Sequence, residues 1–285
     1  MKYKTWQEVI DLNNTNYKKA TIVSGFPRGG TTYTYRCLCD YEPFRSKILL
    51  EEYFHHFYAY ARDENGKLYL DKPTIDARVE QGVAINGSGT ENEWYKEVGE
   101  RYRDLRSTYS WHDVFMKVLP YHYRALARHN PISYLDLCKS HFFIHVMRRD
   151  WFNMLLSNIY SNHFNKFHYY GVEELHNKPF TVDDVDDVVE TYAPMFGILH
   201  KVWNDSNKTG VWIYAEDLPG RTVKTEDHVF IVPPPRHDKN KPELFKSIIL
   251  NRDEIFDKAY ARVKRIEAHL EGFFEFSEQE VRINT

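Results

Sequence analysis

The chain has 285 residues, 42% of them hydrophobic, enough to bury the core of one large α/β domain or two small ones; a single domain over 1–285 is expected. Its 38 basic and 41 acidic residues leave a net charge of -3, so nothing in the bulk charge points to nucleic acid or to an anionic membrane. Any bound anion must therefore be held by local groups.

Thr5 and Glu8 have the spacing of a capping box that opens an N-terminal helix. MKYKTWQEVIDL carries no apolar run long enough for a signal peptide or a membrane span. Cys37, Cys39 and Cys138 are odd in number and lack zinc-type spacing, which fits a reducing compartment. A soluble, cytoplasmic protein is expected.

The run TIVSG (21–25) predicts a buried strand, followed by the turn GFPRGGTT (25–32) and a helix over 31–40. A helix over about 47–60 carries Glu51 and Glu52, and a small hairpin is expected at NGKLYLD (65–71) before a helix over 91–107. DVFMKVL (113–119) and FFIHVM (142–147) predict two more buried strands, the second running into a helix over 150–161. A helix over 182–204 should be kinked by Pro194, and GVWIYAE (210–216) predicts a fourth strand. An irregular segment, 219–242, precedes helices over 242–250 and 253–271; in the last, Ile255, Ala259, Val263, Ile266 and Leu270 form a core-facing stripe. Buried strands alternating with helices argue for an α/β three-layer sandwich with a central, mostly parallel sheet and a phosphate-binding loop after the first strand.

Gly25 to Thr32 matches the Gly-x-x-x-x-Gly-Lys-Ser/Thr loop of nucleoside triphosphatases at every fixed position except the lysine, which is Thr31. In such loops bare backbone N–H groups and a helix N-terminus converge on one anion. The second informative stretch is HVMRRDWFNMLLSNIY (145–160), where a strand ends in Arg148-Arg149-Asp150 and Ser157 stands eight residues beyond Arg149. Ligands of doubly wound sheets sit at the carboxyl ends of strands, so this strand end and the glycine turn should face one crevice.

GFPRGGTT resembles the 5′-phosphosulfate loop of the 3′-phosphoadenosine 5′-phosphosulfate (PAPS)-dependent sulfotransferases. RRDWFNMLLS resembles their 3′-phosphate motif, in which an arginine precedes a serine by eight residues. IYAEDL (213–218) is similar to the family's Tyr-Glu-Asp-Leu strand end, and NKPELFKSIILNRDEI (240–255) to the segment that closes over the nucleotide. The four matches follow the family's order. The resemblance implies a sulfuryl donor, PAPS, leaving as adenosine 3′,5′-bisphosphate (PAP) without a metal, which accounts for the missing Walker lysine. It assigns donor contacts to Pro27, Arg28, Gly29, Gly30, Thr31, Thr32, Arg149, Ser157, Lys239 and Lys241, and leaving-group stabilisation to Arg28 and Lys117.

The acceptor's base is where the family pattern divides. Cytosolic members carry a histidine two residues after the lysine; here the run is Lys117-Val118-Leu119-Pro120, and His122 comes later. Tyrosylprotein-type members use a glutamate downstream of the loop arginine, and Glu51 and Glu52 lie 23 and 24 residues past Arg28. Glu52 is favoured, then Glu51, then His122. The acceptor is a small-molecule, sugar or peptide hydroxyl, or an amine. A silent nucleotide-binding interaction module is the second reading. A nucleoside kinase or triphosphatase is the third, disfavoured by Thr31 though IYAED would offer it an acid. Among His55, His56, His163 and His168 no two stand four residues apart as a helical ligand pair, and no metal site is expected. The aromatic stretches EYFHHFYAY and YSNHFNKFHYY suit either an acceptor wall or core packing.

Overall fold

The computed structural model describes residues 4–9, 11, 20–55, 58–80, 91–164, 178–218, 221–224, 229–232 and 246–267. In chain order, β1 (Ala20–Gly25) leads to α1 (Thr31–Cys39), the short α2 (Glu42–Arg45), β2 (Ile48–Glu51), the antiparallel pair β3 (Tyr60–Arg62) and β4 (Leu68–Leu70), α3 (Lys72–Glu80) and α4 (Glu91–Thr108). Then come β5 (Val114–Val118), α5 (Pro120–His129), α6 (Pro131–Ser140), β6 (His141–Met147) and α7 (Trp151–His163). They are followed by α8 (Val185–Tyr192), α9 (Pro194–Asp205), β7 (Gly210–Tyr214), the pair β8 (Arg221–Lys224) and β9 (Val229–Val232), and α10 (Arg252–Glu267).

β1, β2, β5, β6 and β7 form one all-parallel sheet in the order β2-β5-β1-β6-β7. The chain builds outward from β1 on one side with β2 and β5, then crosses to the other with β6 and β7. That reversal opens a crevice at the carboxyl ends of β1 and β6, the topological switch point of such a sheet.

Alternate residues along each strand face opposite layers. Ile22, Leu50, Met116 and Phe143 pack with Val98 and Leu105 of α4, Leu126 of α5 and Leu137 of α6. Val23, Phe115, Ile144 and Ile213 pack on the other side with Tyr35 and Leu38 of α1 and Phe44 of α2. A third cluster joins α7, α8, α9 and α10 to Phe26, Trp212 and Tyr214. The sheet is thus covered on both faces, a three-layer α/β sandwich, and double burial is why its strands read as nearly unbroken apolar runs.

The helix expected over 47–60 is not formed. Ile48–Glu51 is the edge strand β2, paired with Val114–Lys117, and a turn follows it. Leu and Glu side chains serve a helix well, but burying Ile48 and Leu50 against β5 outweighs that local preference. Pro194 starts a new helix, α9, where a kink was expected. Two helices between β5 and β6 were not anticipated; each begins with a proline, and Asn130 caps the second by accepting from the N–H groups of Ile132 and Ser133. The fourth strand stops at Tyr214, where Ala215–Asp217 turns. The Thr5–Glu8 capping box is present, with Thr5 N–H donating to Glu8 Oε2 at 2.8 Å and Glu8 N–H to Thr5 Oγ1 at 3.3 Å. Lys239, Lys241 and the first part of the closing segment, 240–245, lie outside the described residues; of the helix expected over 242–250, residues 246–248 are helical and Ile249 bridges to Phe180. No described helix is long and apolar enough to cross a membrane.

Candidate functional site

The loop after β1 is pinned from three directions. Gly29 N–H donates to Phe26 O at 2.9 Å, closing a tight turn, and Arg28 (φ 65°) and Gly30 (φ 89°) are both left-handed. Such curled backbone builds anion-binding concavities. A Cβ on Gly25 would stand 2.3 Å from Val146 O and 2.7 Å from Thr31 Cγ2, so only glycine lets the loop press against β6. From α7, Asn158 Nδ2 donates to Pro27 O at 3.0 Å.

One residue earlier on the same helix, Ser157 Oγ lies 3.4 Å from Arg28 Nε. The glycine turn and the arginine–serine stretch, 129 residues apart between these two side chains, therefore meet at the switch point.

Beside the loop lies a buried charge cluster. Parallel register sets Lys117 of β5 next to Glu51 of β2 and Val23 of β1, on the α1 side of the sheet shared with Phe115. Lys117 is 1% exposed. Its Nζ donates to Thr32 Oγ1 at 2.5 Å, in the first turn of α1, and lies 3.3 Å from Glu51 Oε1 and 2.6 Å from Glu52 Oε1. Arg36 Nε reaches the other oxygen of Glu51 at 3.3 Å, and Tyr60 OH donates to the Glu51 carbonyl at 2.5 Å. Glu52 has φ 54°, an unfavourable backbone for a residue with a side chain. Such local strain is found where the surroundings over-determine a position.

Arg101 of α4 supplies part of that constraint. Its Nη1 donates to the carbonyls of Tyr53 (2.5 Å), His55 (3.2 Å) and Tyr58 (3.1 Å), and its Nη2 pairs with Glu97 at 2.6 Å. Burial alone would raise the Glu52 carboxyl, but attraction by Lys117 above all holds it well below the ordinary carboxylate value.

His122 is pushed well below its ordinary value, first by burial and then by repulsion from His55. Its Nδ1 accepts the Leu119 N–H at 3.1 Å, so the neutral ring carries its proton on Nε2, which is buried without a hydrogen-bond partner. Tyr121 and Trp94 lie beside it, with ring centroids 4.4 Å and 6.5 Å from His122. Trp94 and Arg101, seven residues apart and so on one face of α4, were not singled out from the sequence. Helical spacing was the signal available, and it reads equally as core packing.

At the end of β6, Asp150 caps α7 by accepting the Asn153 N–H at 2.9 Å. Arg149 Nη2 donates to both oxygens of Asp217, at 2.9 and 2.8 Å, with its guanidinium 4.4 Å over the Tyr214 ring. The sequence assigned Arg149 to a phosphate and saw Asp217 only within the IYAEDL strand end, not as a partner of Arg149. Of the expected site residues, Arg28 and Ser157 are brought together, as are Thr32, Lys117, Glu51 and Glu52; Arg149 is engaged by an acid. Among the described residues no three His, Cys, Asp or Glu side chains gather as a metal site.

No family model, curated protein or solved structure matches the chain. Its class is defined by the doubly wound parallel sheet, with a glycine turn and an arginine-bearing helix entry sharing the switch point.

Proposed function

We propose that the chain is a PAPS-dependent sulfotransferase, moving a sulfuryl group to a hydroxyl or amine acceptor and releasing PAP. The observation that carries this reading is the 3.4 Å approach of Arg28 to Ser157, which joins the two motifs with the sulfotransferase pattern in one crevice. The loop N–H groups with Arg28, Thr31 and Thr32 would hold the 5′-phosphosulfate, and Arg149 with Ser157 the 3′-phosphate.

Transfer follows the loose, in-line pattern of phosphoryl transfer, in which positioning and charge stabilisation supply most of the acceleration. The acceptor oxygen bonds to sulfur as the bond from sulfur to the bridging phosphate oxygen breaks. Negative charge gathers on that leaving oxygen, where Arg28 and Lys117 are the cations at hand. The acceptor's proton goes to Glu52. His122 is the weaker candidate because its unpartnered Nε2 already bears hydrogen, and Glu51 because Arg36 and Lys117 bracket it. Glu52 gains basicity as Lys117 turns from its carboxylate toward the leaving oxygen. Cys37, Cys39 and Cys138, none of them in a disulfide, and the near-neutral charge suit a cytoplasmic enzyme acting on small-molecule, sugar or peptide acceptors, without nucleic acid or membrane as partner.

The test is a melting curve. PAP at a hundredfold excess over its dissociation constant should add about 2.7 kcal/mol, a rise of several degrees. ATP with magnesium should do much less. Equal shifts from the two nucleotides, or loss of the PAP shift in EDTA, would refute the assignment. Transfer from labelled PAPS to a panel of hydroxyl acceptors then separates an enzyme from a module that only binds.

A further inference from the structure

The guanidinium that the sulfotransferase reading assigns to the 3′-phosphate is held by an anion of the chain's own. Both oxygens of Asp217, on the turn after β7, accept from Arg149 Nη2, and the Arg149 backbone N–H donates to Glu216 Oε2 at 3.4 Å. A carboxylate presents two oxygens on one centre much as a phosphate does, so the two compete for the same donors. Beside this pair, Arg148 has its Nε buried without a hydrogen-bond partner and feels the charges of Glu216 and Asp150. The end of β6 thus sets Arg148 and Arg149 against Asp150, Glu216 and Asp217, so the chain's own acids outnumber its cations there.

We propose that Asp217 is a built-in competitor for the 3′-phosphate. The nucleotide's phosphate binds by displacing a carboxylate from Arg149, and the return of that carboxylate speeds release of the spent nucleotide. The inference rests on the sulfotransferase reading for the identity of the ligand. It sets a specific pattern: Asp217 weakens nucleotides with a 3′-phosphate and leaves those with a 3′-hydroxyl unaffected, because the latter never displace it. Side-chain exposures of 47% for Arg149 and 33% for Asp217 mark the pair as solvent-screened, so its competition amounts to about fivefold in affinity at most.

Titration calorimetry with PAP and 5′-AMP, which differ only in the 3′-phosphate, tests this on the wild type and on Asp217→Asn, Asp217→Ser, Arg149→Ala and the double variant Arg149→Ala/Asp217→Asn. Both Asp217 variants should bind PAP about three- to fivefold more tightly than wild type and 5′-AMP unchanged. In the Arg149→Ala background the Asp217 substitution should have no effect. A wild type that prefers PAP, joined to Asp217 variants that bind it no better, overturns the competitor role alone. Equal tightening of both nucleotides, or an undiminished effect without Arg149, overturns it in favour of a general loss of negative charge. A wild type that binds PAP no better than 5′-AMP overturns the 3′-phosphate assignment, and the competitor role with it.

Discussion

Lys117 Nζ stands 2.6 Å from Glu52 Oε1 and 2.5 Å from Thr32 Oγ1, so one buried ammonium ties the carboxylate after β2 to the first turn of the anion loop's helix. Glu51 is a third partner at 3.3 Å. Two carboxylates share one lysine, and any anion that draws the lysine toward the loop loosens its hold on Glu52. The fold thereby couples what happens at the loop to the proton affinity of the proposed base.

Removing the lysine should expose how much that coupling contributes to stability. Lys117→Met leaves Glu51 and Glu52 without their buried partner, a change that costs about 3–5 kcal/mol in comparable pairs. Urea denaturation at pH 7 measures it. Lys117→Met/Glu52→Gln should recover part of the loss; a single variant as stable as wild type would show that the pair is not structural.

Glu52→Gln preserves shape but cannot take a proton. In the sulfotransferase reading, turnover should fall by about a hundred- to ten-thousandfold while PAP affinity barely changes. Glu51→Gln and His122→Asn serve as comparators, and normal turnover by Glu52→Gln beside a dead comparator moves the base. Stability offers a separate check. Glu52 is held at about 2, below its ordinary 4.5, so its stabilising charge is present above the ordinary value and is lost as pH falls toward 2. Glu52→Gln should lack that part of the acid slope.

His145 gives a slope of the same sign for a different reason, because here burial favours the neutral form. It lies in the core, stacked 4.3 Å from Trp212 and 5.4 Å from Phe143, with neither ring nitrogen hydrogen-bonded, and burial pushes it down to about 3 from 6.5. Between those values the unfolded chain binds the proton and the folded chain does not. Stability therefore falls as pH drops through that window, by up to about 1.4 kcal/mol per unit. His145→Phe keeps the stacking and removes the titration. Its stability relative to wild type should be about 2 kcal/mol better at pH 5 than at pH 8, read from paired denaturation curves; a difference independent of pH contradicts this account.

Arg101 holds the turn that carries Glu52 in its left-handed backbone. Arg101→Met leaves three carbonyls without that donor and should cost about 1–3 kcal/mol of stability. Turnover with saturating donor should fall further than stability explains, and Arg101→Lys, which retains a donor, should restore part of it. Unchanged turnover in a folded Arg101→Met protein would confine the residue to a structural role.

Local chemistry made much of this legible in the sequence. Apolar runs bounded by turns mark β1, β5, β6 and β7, because strands buried on both faces need little else. The glycines and proline of GFPRGGTT announce the loop, since its left-handed and crowded positions constrain residue type directly. The eight-residue step from Arg149 to Ser157 is likewise visible along one chain segment. Tertiary structure alone decided the rest. Ile48–Glu51 is helix-compatible text made into a strand by pairing with β5, and that pairing, not a helix face, aims Glu51 at Lys117. Arg28 meets Ser157 across 129 residues, and Arg149 meets Asp217 across 68. No local pattern encodes such contacts, because charged side chains choose partners by where the sheet order and register deliver them in space.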